Sequence, residues 1–154
     1  MAWSGSKVFA ATLLDGLGNT TALDLDADTL AAILYDNTIT PDNTVSSANS
    51  AKDAGVWASG KKSNGGWGAN GVNLANKTWL RSSNVMTLDA DDTANGSAAT
   101  LTDVYGVHVI DDSLTTPVAD QGVCFNYLGG ANGVTAGTLT VVWNASGLFA
   151  LTAT

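Results

Sequence analysis

At 154 residues the chain is long enough for one domain with a real core, since a domain of this size buries roughly 70% of the surface its unfolded chain would expose. Fourteen acidic residues, every one an aspartate, oppose six basic ones for a net charge of −8, and Cys124 is the only cysteine. An intrachain disulfide is therefore excluded. Nucleic acid is disfavoured as a partner, because neutralising phosphates needs a basic patch that neither Arg81 nor the Lys61–Lys62 pair supplies.

Gly, Thr, Asn, Ser and Val are abundant and glutamate is missing, a bias towards strands and tight turns and away from helix interiors. The expectation is all-β: one antiparallel β domain, a sandwich or a barrel, over residues 1–154 with at most one or two short helices. Residues 1–6, "MAWSGS", read as a flexible N-terminal arm. "KVFAATLLD" (7–15) reads equally as a short helix or a first strand. It forms no proper signal peptide, and no apolar run approaches the ~18 residues of a membrane span.

Next comes an aspartate ladder, Asp24, Asp26 and Asp28. A calcium loop of the EF-hand kind wants glycine after the third acid and a bidentate glutamate six residues later, but Thr29 and Tyr35 stand there. These carboxylates read as solvated turn residues, with incidental divalent binding the minor alternative. "TLAAILYDNTI" (29–39) is a continuous apolar run closed by turn residues, as a buried strand would be. "TPDNTVSSANSAKDAG" (40–55) opens as a turn and suits a short helix ending near Gly55.

"GVWASGKKS" (55–63) is one residue from a phosphate-binding loop. Position 62 is lysine where Ser or Thr should reach the metal, and "SNGGWGANG" cannot start the helix that such a loop needs. The stretch to Gly71 reads as a long loop or irregular edge. Beyond it, "VNLANKTWLR", "VMTLDADD", "DVYGVHVIDDS", "PVADQGVCFNYL", "GTLTVVW" and "GLFALTA" are short strand candidates separated by Gly, Asn, Asp or Pro. Strand alternation puts Tyr105, Val107 and Val109 on one face and Val104, His108 and Ile110 on the other.

Little of the sequence suggests chemistry. His108 lies mid-strand between valines and Cys124 lies in an apolar run, so both read as structural; as single copies they cannot make a His/Cys metal centre. No carboxylate pair is marked out. The expectation is no catalytic set, no cofactor and no metal. Trp3, Trp57 and Trp67 sit in Gly/Ser-rich surroundings. By default such aromatics cap their own domain's core, but three in weakly structured segments also suit a surface that orders against a protein partner, or a sugar-binding platform.

The motif layout resembles a family of tailed-bacteriophage capsid decoration, or cement, proteins. "SNGGWGANGVNL" matches the family's glycine-aromatic loop through Gly66, Trp67, Gly71 and Leu74. The C-terminal half matches through Gly106, Ile110, Gly137, Trp143, Gly147 and Leu148, with Cys124-Phe125-Asn126-Tyr127 departing from the family's simpler pattern. The resemblance runs from about residue 7 to the end and rests on structural positions. It implies a jelly-roll-like β-sandwich without enzymatic activity, made in the bacterial host cytoplasm and placed on the virion's capsid surface. The implied partner is the major capsid protein, with the chain itself a homotrimer and no role for nucleic acid or membrane. A tail or baseplate position and a carbohydrate-binding module are the alternatives. The expected partner contacts are Trp3, Trp57, Lys61, Lys62 and Trp67.

Overall fold

The structure, a computed structural model, describes residues 3–154. In chain order it contains β1 (Lys7–Val8), α1 (Ala10–Leu17), β2 (Leu30–Tyr35), α2 (Ser47–Ser50), a 3-10 turn at Gly55–Ala58, β3 (Lys61–Lys62), β4 (Val72–Asn73) and β5 (Thr78–Ser82). There follow β6 (Val85–Asp89), β7 (Thr93–Ala94), β8 (Ala99–Asp111), β9 (Gly122–Gly137), β10 (Thr140–Val141) and β11 (Phe149–Thr152). All pairings are antiparallel. The main sheet runs β1-β9-β8-β2-β3 with β4 also on β2; β11-β6-β5 and β10-β7 form two smaller sheets. The fold is thus an all-β antiparallel sandwich.

The ambiguous segment 7–15 contains both elements, a two-residue strand and then a helix. The expected buried strand is β2, whose six side chains are all buried. Its alternation divides them: Leu30, Ala32 and Leu34 enter the larger hydrophobic cluster, while Ala31, Ile33 and Tyr35 enter a second, aromatic one. A strand covered on both faces needs apolar residues throughout, which is why its sequence shows no polar alternation. The small sheets and the Gly/Trp loop close the first cluster, contributing Trp67, Leu88, Val141 and Trp143. Trp3, Phe9 and Trp57 close the second.

Alternation fails at one point on β8. Val104 joins Val107 and Val109 in the larger cluster, and Tyr105 packs beside Ile110 in the aromatic one, the reverse of the expected assignment for both. A register shift lies at the same place. Val104 pairs with Asn132 and Gly106 with Tyr127, so β9 carries extra residues at this bulge. The Asn132 side-chain amide donates to the carbonyls of Val104 and Gly130, at 3.3 and 2.9 Å, which ties the bulge down.

The expected arm is also corrected over the residues described. Trp3 is fully buried, its indole N–H donates to the Asp36 carbonyl at 2.7 Å, and the Tyr127 N–H donates to Ser6 Oγ at 3.1 Å. The indole lies flat over Gly106, where a β-carbon would come within 2.3 Å of the ring. Residues 1 and 2 lie outside the described residues.

Candidate functional site

The expected contact residues fare unequally. Trp57 and Trp67, like Trp3, have 0% exposure, so none of the three indoles is available as a surface contact, and that assignment is corrected. Glycine density misleads here because residues without side chains let the loop lie against the sheet. Gly71, at φ +82°, has room for no β-carbon beside the Ala32 carbonyl. Trp67 then reaches inward, its N–H donating to Asn95 Oδ1 at 3.1 Å and to the Leu139 carbonyl at 3.2 Å. Trp57 stacks on His108 with ring centroids 4.0 Å apart and an interplanar angle of 17°. The two lysines are half-buried on β3, at the sheet's edge, and Lys61 pairs with Asp53 at 2.6 Å. After Gly60 comes this strand, not a helix, so the phosphate-loop reading has no structural basis.

His108 and Cys124 are close in register, Val109 facing Cys124 and His108 facing Phe125. The sheet nevertheless separates their side chains. Cys124 belongs to the larger cluster, whereas His108 packs among Phe9, Tyr35 and Trp57. Burial drives the His108 pKa down to about 3, against the pull of the Ser50 carbonyl, and Lys61's charge adds to the fall. Burial pushes the Cys124 thiol well above its usual range.

The aspartate ladder folds into a turn in which the Asp24 carbonyl accepts from the N–H groups of Ala27 and Asp28, and the Asp24 N–H donates to Asp28 Oδ2 at 2.7 Å. Asp111 is fully buried, and burial followed by its hydrogen bond with Asp28 raises its pKa to about 7. Among the described residues, no three or more ligating side chains are grouped to hold a metal ion, and no helix is long and apolar enough to cross a membrane.

The surface feature that sequence reasoning missed lies between α1 and the β11-β6-β5 sheet. A groove of about 360 Å³ opens there, walled by Leu13 and Leu17 of α1 and by Trp79, Met86, Phe149 and Leu151 of the sheet, with Asp24 at its polar side. Cross-strand register explains the sheet wall. Trp79 faces Leu88 and Leu88 faces Phe149, while Met86 faces Leu151, so these apolar side chains share one face. Leu17 and Leu14, three apart on α1, are 89% and 72% exposed, and Leu80 on the sheet's other face is 67% exposed. The available signal was the period-2 pattern of "WLR", "VMTL" and "FALT" together with a helical reading of 10–17. No family model, no curated protein and no solved structure matches the chain.

Proposed function

We propose that this chain is a non-enzymatic virion structural protein of a tailed bacteriophage. It binds the outer capsid surface as a jelly-roll-like homotrimer and bridges neighbouring capsomers of the major capsid protein. The observation that carries the reading is the pair of exposed leucines on α1, Leu14 and Leu17, beside an apolar groove, on a chain otherwise made of antiparallel strands joined by turns. The sequence resemblance supports it, since its matching positions are ones the fold depends on: Trp67 and Trp143 in the core, Gly71 against β2, Gly106 under Trp3. Trimerisation would join three modest footprints and raise affinity without new contacts.

The test is stoichiometry. In virions that encode this chain, quantitative mass spectrometry should find it in many copies, in proportion to the major capsid protein. A few copies per particle would assign it instead to a tail or baseplate, and absence from particles would overturn both readings. A carbohydrate-binding role has lost its platform, because the three loop indoles it would use are buried.

A further inference from the structure

The groove beside α1 combines two properties that point to one kind of occupant. Its volume falls within the range of ligand pockets, about 300–1,000 Å³, and its walls are mainly apolar, with the Trp79 and Phe149 ring centroids 5.8 Å apart. Its polar side is anionic and unneutralised. Asp24 lines the groove, Asp26 and Asp28 adjoin it in the same turn, and none of the three has a Lys or Arg within ion-pair distance among the described residues. The lysines that do pair are engaged elsewhere, Lys52 with Asp112 and Asp120 and Lys61 with Asp53. Arg81, opposite Met86 in register, donates to the Ser83 carbonyl at 3.2 Å.

The Asp24 carboxyl also lies against Asp26, whose hydrogen bond and charge favour a proton on Asp24. A cation supplied from outside would relieve that crowding. An apolar cavity beside uncompensated carboxylates complements a segment that is apolar in the middle and basic at its end.

We infer that the groove receives a partner protein's segment whose apolar side chains fill the space between α1 and the three-stranded sheet while a flanking lysine or arginine meets Asp24. The inference rests on reading this face as the capsid-binding one and names the chemistry that the capsid protein would present to it. The exposed Leu14, beside Leu17 on α1, extends the contact beyond the groove's mouth.

The test uses the full chain and two synthetic peptides with the same apolar centre, acetyl-Lys-Leu-Phe-Leu-Lys-amide and acetyl-Glu-Leu-Phe-Leu-Glu-amide, titrated at low salt while the Trp79 indole N–H is followed by NMR. The lysine peptide should bind saturably and the glutamate peptide about twofold to fivefold more weakly, the scale of one exposed ion pair. Asp24→Asn should remove most of that difference, and Leu17→Gln, at a site exposed enough not to disturb folding, should weaken both peptides. Absence of saturable binding, equal binding of the two peptides, or insensitivity to both substitutions would overturn the inference. So would self-association abolished by Leu17→Gln in sedimentation equilibrium, because a second copy would then be the occupant. Capsid binding separates the two proposals. Peptide recognition without capsid binding refutes only the proposed function, whereas capsid binding unaffected by Asp24→Asn and Leu17→Gln refutes only this inference.

Discussion

Replacing Gly106 by alanine places a methyl group where the Trp3 indole now lies. The new carbon would be 2.3–2.5 Å from three ring atoms of Trp3, whereas carbon atoms rest about 3.5–4.0 Å apart. The backbone there is not left-handed, so alanine itself fits and recovers about 0.5–1 kcal/mol over glycine in a strand. The indole must give way. If it shifts within the cluster, overpacking costs about 1–3 kcal/mol; if it leaves, the loss approaches the roughly 3–5 kcal/mol of a buried Trp→Ala change. Its bond to the Asp36 carbonyl and its edge-to-face contacts with Trp57 and Phe125 go with it. A net loss of about 2–3 kcal/mol is expected, a large share of the roughly 5–15 kcal/mol that holds a domain folded. Urea unfolding of wild type, Gly106→Ala, Trp3→Ala and the double variant forms the cycle that tests this. With Trp3 absent, Gly106→Ala should be neutral or stabilising, a coupling of about 2 kcal/mol or more. Equal penalties in both backgrounds would refute the reasoning and show that residues 3–6 are not docked on the sheet in solution.

Three further expectations concern buried titratable groups. The folded His108 pKa of about 3 lies below the ordinary 6.5, so its contribution is complete above the ordinary value and is lost as pH falls; by pH 5 the loss is about 2 kcal/mol, and a His108→Leu variant should lack this acid slope in thermal melts. Asp111 acts in the opposite sense. Its folded pKa is raised, so stability is greatest below 3.8 and falls as pH rises through about 7, and Asp111→Asn should raise Tm at pH 8 while leaving it nearly unchanged at pH 3. Cys124, buried and with its thiol pushed up, should react with a disulfide reagent only through opened states, far more slowly than in the urea-unfolded chain and faster as sub-denaturing urea is added.

Much of the strand layout was legible because it depends on local pattern. β2 announces itself by an unbroken apolar run, and several later strands by the turn residues between them, but "GGANG" lies inside β9 rather than ending it, and β8 starts at Ala99, ahead of its candidate. Packing partners are less legible. Trp67 reads as a surface aromatic because its neighbours are glycines, yet its indole meets Leu139, which is 72 positions away. Trp3 likewise gains its place from Gly106 and Asp36. The inverted faces of Val104 and Tyr105 coincide with a register shift against β9, a long-range pairing that "VYGVHVI" alone does not reveal. The groove joins a helix near the start of the chain to strands from its middle and end, and its walls are made of side chains that each look like ordinary core residues.

The double duty of β2 has a consequence for how the molecule comes apart. Moving this strand by one residue would send Leu30, Ala32 and Leu34 into the aromatic cluster and Tyr35 into the other, emptying and crowding both at once. Neither cluster can loosen its hold on the strand without exposing the wall that the other leans against. The two halves of the core should therefore melt as one cooperative unit, with the aromatic cluster around His108 and the aliphatic cluster around Leu88 vanishing in a single transition.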